Sequence, residues 1–282
     1  MTDSLRILII IVLYKQNLRE SQSYVTLKGN VEHLQYPSKL VLYNNSIEKH
    51  IVGSDDEIVI NSGRNDKLAK PYNYAWRMAK EEGYEWIMLL DQDSELTSDY
   101  FIVLNDAIRH AGNDIAAVVP QINCNGTIIS PTSMHGFSGP FWTVKRVDAE
   151  VPKNRYVSAI NSAALVRTSA MTEIGGFNEK FPLDYLDCWY FYQFHKHGFR
   201  IKTMPSVVNH QLSILSLKDM GRERYRDYMQ ACARFARSSQ PSFYVVFVIR
   251  TLLRSVKCLF VPSKRKFAGI TFSSMFYKED LI

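Results

Sequence analysis

Short apolar runs alternate with longer amphipathic segments over the first hundred residues, as in proteins that alternate strands with helices. The run 7–13 contains only Ile, Val and Leu, which is typical of a strand buried on both faces of a parallel sheet. The same pattern predicts strands at 39–43, 57–60 and 86–90 and helices at 18–34 and 72–82. We therefore expect β-α-β units with polar residues just after the ends of the strands.

The pattern continues less regularly up to residue 217. It predicts helices at 100–111, 169–174 and 185–197 and strands at 116–119 and 157–166. Residues 121–156 are rich in Gly, Pro and Ser, which predicts irregular loops or a hairpin excursion. The expected fold class is α/β, with a mostly parallel sheet flanked by helices.

The net charge of +6 on the 282 residues is concentrated near the C-terminus. Residues 1–217 contain 21 basic and 23 acidic side chains, whereas residues 218–282 contain 13 and 5. A slightly acidic globule with a basic extension suggests contact with an anionic surface, either a membrane or a nucleic acid. Residues 218–282 are expected to form a basic, helical C-terminal extension.

Residues 243–261 are apolar enough to suggest a membrane span, but three basic side chains interrupt them. Arg250, Arg254 and Lys257 follow one another at intervals of four and three residues, which places them on one face of a helix. A spanning helix would bury these charges, whereas a helix in the membrane interface leaves them among lipid headgroups. We expect interfacial binding, extended by the basic residues 264–266. The alternative is an amphipathic helix packed on the body of the protein.

Cysteine usage and the N-terminus favour a cytoplasmic protein. Four widely spaced cysteines include no CxxC pair, as in a reduced compartment. The apolar run 7–13 has about half the length of a membrane span and lacks a small-residue cleavage site, so export is not expected. The expected location is peripheral, on the inner face of the cell membrane.

The most informative segment is 86–94, in which five apolar residues lead directly into Asp91-Gln92-Asp93. Ligands of open parallel sheets bind at the carboxyl ends of the strands. Carboxylates there suit Mg²⁺ or Mn²⁺, which take oxygen ligands and often share them with substrate phosphates. An Asp-x-Asp pair is common in polar turns, but its position after a buried strand favours a metal site facing a diphosphate.

A second acidic segment follows Gly175-Gly176, a pair that permits a tight turn with positive φ. Asp184 and Asp187 lie three residues apart at the start of an aromatic-rich helix. They are either the N-cap and its first-turn companion, or one of them is a general base.

A third candidate is His210, which follows a short apolar stretch. A lone histidine is more often structural than a ligand. Together with Asp91 and Asp93, however, it would complete a set of two carboxylates and one imidazole that suits Mn²⁺ or Mg²⁺.

These segments together resemble the family 2 inverting glycosyltransferases of the GT-A fold, and in particular their bacterial rhamnosyltransferase-like branch. The resemblance runs from about residue 7 to 228 and is most specific at 89–94, because that branch favours Asp-Gln-Asp-Ser at its Asp-x-Asp motif. Supporting segments are Val12-Leu13-Tyr14, Tyr43-Asn44-Asn45-Ser46, Asn61-Ser62-Gly63-Arg64-Asn65 with Asn73, Ile174-Gly175-Gly176-Phe177, the segment 181–187, and Asn209-His210.

The resemblance implies a metal, Mg²⁺ or Mn²⁺, bound by Asp93 and His210, with Asp91 near the nucleotide ribose or a metal-bound water. It also implies a nucleotide pocket. The residues that would line this pocket are Tyr14, Asn44, Asn45, Asn61, Gly63, Asn65, Asn73, Asp91 and Gln92.

The resemblance further implies that Asp187 is the catalytic base and that Asp184, Tyr185 and Trp189 contact the acceptor. The nucleotide-binding half would span residues 1–99 and the acceptor half 100–217, completing a catalytic domain over 1–217. Some positions depart from the family pattern. Lys67 stands where a glycine is customary and Asn45 where aspartate is frequent, which weakens any inference about the sugar.

The expected function is therefore a metal-dependent inverting transfer from a nucleotide-diphosphate sugar. The resemblance favours dTDP-L-rhamnose as the donor, with a UDP-hexose as runner-up. The expected acceptor is a lipid-linked glycan in bacterial surface polysaccharide biosynthesis, either O antigen or capsule.

Two other classes of function remain to be tested. A nucleotidyltransferase also uses paired aspartates, but no glycine-rich basic phosphate loop lies near the N-terminus. A nucleic-acid-binding protein could use the basic extension for phosphates. The basic residues there alternate with aliphatic runs that suit lipid better, so no nucleic acid is expected. Homo-oligomer formation stays open.

Overall fold

The computed structural model describes residues 5–141, 145–147, 155–210 and 220–278. The chain divides into two compact units. The first contains Met1–Ser133 and Arg146–Gln211, and the second contains Met134–Lys145 and Leu212–Ile282. The second unit therefore combines a short segment from the middle of the chain with the C-terminal segment.

The described residues form eleven strands and eight α-helices. The strands are β1 (Ile7–Leu13), β2 (Ser38–Asn44), β3 (Ile58–Asn61), β4 (Trp86–Asp91), β5 (Ile115–Cys124), β6 (Thr127–Ser130), β7 (Thr132–Met134), β8 (Lys145–Arg146), β9 (Tyr156–Ser158), β10 (Ala164–Arg167) and β11 (Arg200–Asn209). The helices are α1 (Gln22–Asn30), α2 (Ala69–Glu82), α3 (Ser98–Arg109), α4 (Thr168–Glu173), α5 (Leu186–Lys196), α6 (Arg222–Ser238), α7 (Pro241–Phe260) and α8 (Ala268–Ser274).

The main sheet of the first unit has the strand order β11-β5-β10-β4-β1-β2-β3, with β6 added beside β5. Strands β1 to β4 are parallel to one another, and β11 is parallel to β5. Strand β10 is antiparallel to both of its neighbours, β4 and β5. Strands β7, β8 and β9 form a second sheet in the order β8-β7-β9.

The core of the first unit lies on the central strands. All seven residues of β1 are buried because β2 and β4 flank it and helices cover the sheet. Helix α3 begins at the N-cap Thr97, whose side chain accepts a hydrogen bond from the Tyr100 amide at 3.3 Å. It packs Tyr100, Phe101 and Leu104 into the same core as β1 and β4.

The structure confirms the predicted α/β class, and several elements differ from the sequence prediction. The segment 18–34 is not one helix, since α1 lies between two short 3-10 turns, Leu18–Glu20 and Val31–His33. The predicted strand at 157–166 is two strands, β9 and β10. Residues 159–163 separate them, and Ala163 has a φ of 59°, a left-handed conformation that interrupts a strand.

The segment 121–156 contains the hairpin of β5 and β6. Its turn is Asn125-Gly126, with φ of 51° and 80°. A two-residue hairpin turn needs positive φ at both positions, and Asn-Gly is the pair that adopts it most readily. The predicted strand at 116–119 is therefore longer than expected and continues to Cys124.

The second unit is helical, and α7 packs against both α6 and α8. Phe141, from the segment 134–145, lies among Phe235, Phe243 and Phe247, with ring centroids 5.5–6.4 Å apart. These long-range aromatic contacts hold the segment in this unit. Within the described ranges, no helix combines the length and the apolar character needed to cross a membrane.

Candidate active site

The carboxyl ends of four parallel strands bring polar side chains to one edge of the main sheet. In the strand register Val12 lies opposite Asp91, Leu13 opposite Asn44, and Asn44 opposite Asn61. The loop after β4 then pairs with the end of β11 through a bridge between Glu95 and Asn209. This bridge brings His210 next to the acidic loop, although the two are far apart in sequence.

The structure brings Asp91, Asp93 and His210 together. His210 Nδ1 lies 3.1 Å from Asp93 Oδ1, and His210 Nε2 lies 4.0 Å from Asp91 Oδ2. The imidazole is almost fully buried, whereas the Asp93 side chain is 39% exposed. The imidazole therefore lies beneath a carboxylate that faces solvent.

Two side chains that the sequence analysis did not identify hold Asp91 in place. The Tyr72 hydroxyl, on α2, donates to Asp91 Oδ1 at 3.1 Å, and the Ser23 hydroxyl, on α1, donates to the Asp91 carbonyl oxygen. Tyr72 is completely buried and packs on the ring of Phe177. A buried tyrosine on the inner face of a helix has the pattern of a core residue, so no sequence signal distinguished it.

Ser94 and Ser162 form a second support beneath the histidine. Their hydroxyl groups are hydrogen-bonded to each other, and Ser94 Oγ lies 3.5 Å from His210 Nδ1. The Ser94 amide donates to Ser23 Oγ at 2.9 Å, which fixes the loop after β4. Both serines are fully buried, so they act from below the site.

For each of Asp91 and His210, burial and the neighbouring group of opposite charge shift the pKa in opposite directions. Desolvation raises the pKa of Asp91, and the neighbouring Asp93 raises it further, against the effects of His210 and Tyr72. Burial alone would lower the pKa of His210, but its hydrogen bond to Asp93 and the charges of Asp91 and Asp93 outweigh burial and raise it. A cation bound between the two carboxylates would reduce the repulsion between Asp91 and Asp93.

The donor set of Asp91, Asp93 and His210 fits a divalent cation by its chemistry, since carboxylate oxygens and an imidazole nitrogen suit Mn²⁺ and Mg²⁺. Over the described residues, no group of three or more His, Cys, Asp or Glu side chains is arranged to hold a metal ion. Asp93 and His210 instead bond each other. A bound cation would have to replace that hydrogen bond.

Asp187 lies in the first turn of α5 and is half-buried. The pKa of its carboxyl group is raised to about 6, mainly by desolvation and also by the negative charges of Asp184 and Asp91, against hydrogen bonding to Cys188. Its Oδ1 accepts from that amide at 2.7 Å. Asp184 is not the N-cap of α5, because that position belongs to Tyr185, which has a φ of 61°.

The expected acceptor residues lie around the start of α5. Trp189 is half-buried and stacks with Phe181 at a centroid distance of 6.4 Å. The Trp189 amide donates to the Tyr185 carbonyl oxygen at 2.9 Å, which closes the first turn of the helix. Asp184, Tyr185, Asp187 and Trp189 thus belong to one short segment of the first unit.

The asparagines at the strand ends are bonded to the loops around them. Asn44 Nδ2 donates to Asn61 Oδ1 at 2.8 Å and also to the Lys49 carbonyl oxygen, and Asn61 exchanges two hydrogen bonds with the main chain of Ile51. Asn45 Nδ2 donates to the Lys67 carbonyl oxygen at 2.6 Å. These side chains fix the shape of the loops after β2 and β3.

Asn73, on α2, likewise bonds the main chain of a neighbouring loop. Its Nδ2 donates to the Phe177 carbonyl oxygen at 2.7 Å, and its Oδ1 accepts from the Phe177 amide at 2.8 Å. The buried amide group of Asn73 therefore ties α2 to the turn at Gly175-Gly176.

Other predicted pocket residues face solvent. Tyr14, just after β1, is 41% exposed, and its amide donates to Gln92 Oε1 at 2.7 Å. Gly63 is exposed, with open space where a side chain would lie, and Asn65 is half-buried beside it. Tyr14, Gly63 and Asn65 are therefore accessible to a ligand at the edge of the sheet.

Known proteins share the fold that carries this site. No family model matches the chain. Over 206 residues, which are 72% of this chain, it is 24% identical to the dTDP-rhamnosyl transferase RfbF of Shigella flexneri. The structure of S. aureus TarS matches with a TM-score of 0.54 at 13% identity, covering 99% of this chain and 57% of that one.

A third similar protein is the mannosyltransferase PcManGT from Pyrobaculum calidifontis, solved in complex with GDP-Man and Mn²⁺. It matches with a TM-score of 0.53 at 13% identity, over 98% of this chain and 86% of that one. The chain has the GT-A fold. The resemblance to GT-A glycosyltransferases that the motifs predict is thereby confirmed at the level of fold.

The match to RfbF covers only part of that protein. The chain spans 65% of its length, slightly less than two thirds. Of the three proteins, RfbF is named for dTDP-rhamnose transfer, and PcManGT was solved with a nucleotide sugar and Mn²⁺.

Proposed function

We propose that this protein is a metal-dependent inverting glycosyltransferase that uses a nucleotide-diphosphate sugar. The observation that carries the proposal is the convergence of Asp91, Asp93 and His210 at the carboxyl edge of a GT-A sheet. Asp187 is proposed to supply the second requirement of the reaction, a base, and the pKa of its carboxyl group is raised to about 6.

Asp93 and His210 are the proposed ligands of Mg²⁺ or Mn²⁺, and Asp91 lies nearer the ribose or a metal-bound water. Such a cation supplies positive charge to a leaving diphosphate. Tyr72 bonds the Asp91 carboxylate and Ser23 bonds the Asp91 main chain, so the carboxylate is oriented before a substrate arrives. The buried His210 is oriented in the same way by Ser94.

The nucleotide is proposed to bind above the loops after β1 and β3. Tyr14, Gly63, Asn65 and Gln92 are proposed to contact it, which is supported by their position at this edge and by the exposure of Tyr14 and Gly63. We propose that the asparagines act mainly through the loops that they fix. These are Asn44, Asn45, Asn61 and Asn73.

In the proposed reaction Asp187 takes the proton of an acceptor hydroxyl group. The acceptor oxygen forms a bond to the anomeric carbon while the bond from that carbon to the diphosphate oxygen breaks, and its electron pair leaves with the diphosphate. Attack from the opposite face inverts the anomeric centre, and no covalent enzyme intermediate is needed. Asp184, Tyr185 and Trp189 are proposed to contact the acceptor or the sugar.

The proposed donor is dTDP-L-rhamnose, supported by the Asp-Gln-Asp-Ser motif and by the likeness to a protein named as a dTDP-rhamnosyl transferase. A UDP-hexose is the second candidate. The proposed acceptor is a lipid-linked glycan of a bacterial surface polysaccharide, O antigen or capsule. The basic, partly apolar C-terminal segment supports an acceptor that is held at the inner face of the cell membrane.

Release of nucleoside diphosphate from a panel of nucleotide sugars tests the donor class. We expect the fastest release from dTDP-L-rhamnose, with slower release from UDP-hexoses. If release is fastest from a UDP-hexose, the donor is a UDP-hexose and not dTDP-L-rhamnose. Pyrophosphate formation from a sugar phosphate and a nucleoside triphosphate, without any release from nucleotide sugars, would instead identify a nucleotidyltransferase.

A further inference from the structure

Helix α7 of the second unit buries one of its faces against its own unit. Phe243, Val246, Phe247 and Cys258 are buried on this side, where α7 packs against α6 and α8. Phe243 and Phe247 also contact Phe141. One side of the helix is therefore packed against its own unit, and the other side is available to a partner.

The opposite side is aliphatic and exposed. It consists of residues at spacings of three and four, and we call it the apolar face of α7. Its members, each between 46% and 79% exposed, are Val245, Ile249, Leu252, Leu253, Val256, Leu259 and Phe260. Phe272 and Phe276, in and after α8, are 47% and 66% exposed. Exposed apolar side chains that recur along one helix mark an interaction surface.

The charge around this face has a single sign. Residues 241–278 contain seven Lys and Arg residues and no Asp or Glu. Arg250, Arg254 and Lys257 lie on α7 and are exposed. On the helical wheel Arg250 and Lys257 fall at the edge of the buried side next to the apolar face, whereas Arg254 falls within the buried side and reaches Met229 Sδ of α6 at 3.9 Å. Arg250 donates to the Phe141 carbonyl oxygen and Arg265 to the Leu259 carbonyl oxygen. Guanidinium groups thus border the apolar face.

We propose that the apolar face of α7 binds the surface of an anionic lipid bilayer, with the helix lying in the interface. Aliphatic side chains would enter the boundary of the acyl chains, and the bordering Lys and Arg residues would meet anionic headgroups. The buried side of α7 stays packed on its own unit. The sequence predicts interfacial binding for this segment, and the structure identifies the side chains that would enter the lipid.

A second copy of this chain is a less suitable occupant. A twofold dimer places the same patch on both partners, so two sets of basic side chains would face each other around the contact. The described part of 241–278 offers no acidic side chain to pair with them. An anionic bilayer satisfies the apolar face and the basic border together.

Vesicle co-sedimentation tests the proposal with the full chain. We expect binding to vesicles of phosphatidylcholine mixed with phosphatidylglycerol, weakened by added salt, and much less binding to phosphatidylcholine alone. The double variant Ile249→Glu with Leu253→Glu should weaken binding by about tenfold or more, because it places two charges on the apolar face. The matched control is Ile102→Glu, an aliphatic residue 57% exposed on α3, which should bind like the wild type.

Two further measurements separate the outcomes. Circular dichroism and thermal melting establish that each variant is folded, and light scattering after size exclusion gives the oligomeric state. Absence of wild-type binding to anionic vesicles would overturn the proposal, as would equal binding by the double variant. A wild-type dimer that the double variant abolishes, without vesicle binding, would make the face a protein interface.

The proposal rests on the second unit alone and is independent of the catalytic chemistry. Release of nucleoside diphosphate from a water-soluble donor measures the catalytic activity without lipid. Loss of vesicle binding with unchanged release leaves the proposed function standing, whereas vesicle binding without any release would count against the proposed function only.

Discussion

Burial makes the carboxyl group of Asp187 a weaker acid than an exposed aspartate, with a pKa raised to about 6. A general base works best when its pKa lies close to the working pH, because it is then both deprotonated and able to hold a proton. Asp184, three residues earlier, raises that pKa through its charge. We propose different parts for the two residues, with Asp187 as the base and Asp184 as a contact to the acceptor or the sugar.

Asp187→Asn is expected to lower turnover by at least about a hundredfold, because the amide cannot accept the proton of the acceptor. In the wild type kcat/KM should rise with pH through about 6, as Asp187 loses its proton, and then level off. The measurement is the pH profile of nucleoside diphosphate release with acceptor present. Asp184→Asn is the comparison variant: it removes a proposed acceptor or sugar contact but keeps the base, so we expect a higher KM for the acceptor and a smaller loss of turnover. Near wild-type turnover in Asp187→Asn, with loss of turnover in Asp184→Asn, would exchange the two assignments.

Tyr72 positions Asp91 through one hydrogen bond, and Tyr72→Phe removes that bond while keeping the ring on Phe177. A lost hydrogen bond of this kind corresponds to about 1 kcal/mol, so we expect the Kd for nucleoside diphosphate with Mn²⁺ to rise about fivefold. Isothermal titration calorimetry measures this effect. Tyr100→Phe is the control. Tyr100 lies on a different helix, α3, and this variant also removes a buried hydrogen bond, from the Tyr100 hydroxyl to the Ala163 carbonyl oxygen. Equal Kd values in both variants would show that Tyr72 has only a structural part.

At the scale of elements, the hydrophobic pattern predicted β1 to β4 but not β11, whose end carries His210, and it did not predict which strands pair with one another. Strands β1 and β4 were predictable because each is a continuous apolar run, and both lie in the buried centre of the sheet. The antiparallel placement of β10 was not predictable, since it depends on contacts with β4 and β5 that are distant in sequence. Tyr72 was missed for the same reason, because its partner Asp91 comes from a different element.

Gly175-Gly176 was singled out from its sequence, and the structure shows what each glycine does. Both have positive φ, at 82° and 85°. A Cβ at Gly176 would lie 2.4 Å from the Trp76 ring, whereas one at Gly175 would meet nothing within 4 Å. The turn therefore presses closely on α2 at the point where Asn73 holds it.

Gly176→Ala is expected to destabilise the protein by about 2–4 kcal/mol, because it adds a steric overlap to the strain of positive φ. Gly175→Ala carries only the strain and should cost about 1 kcal/mol. Urea unfolding of the two variants, compared with the wild type, measures both values. A Gly176→Ala protein as stable as the Gly175→Ala protein would contradict the close contact with Trp76.

At the scale of the whole molecule, charge and periodicity along the sequence distinguished the C-terminal segment from the body. They did not predict that residues 134–145 belong to the second unit. That membership depends on Phe141 lying among Phe235, Phe243 and Phe247, a long-range packing that no local pattern encodes. The sequence likewise indicated which residues of α7 are basic, but only the structure shows which of its aliphatic residues remain exposed.

The metal dependence of donor turnover tests the central proposal most directly, because the proposal assigns a cation to Asp93, in the loop after β4, and to His210, just after β11. The measurement is release of dTDP from dTDP-L-rhamnose by the wild type and by Asp93→Ala, with Mn²⁺ or Mg²⁺ and after treatment with a chelator. The proposal predicts release by the wild type that requires the cation and falls by about a hundredfold or more in Asp93→Ala. Equal release with and without the cation, or unchanged release by Asp93→Ala, would contradict it.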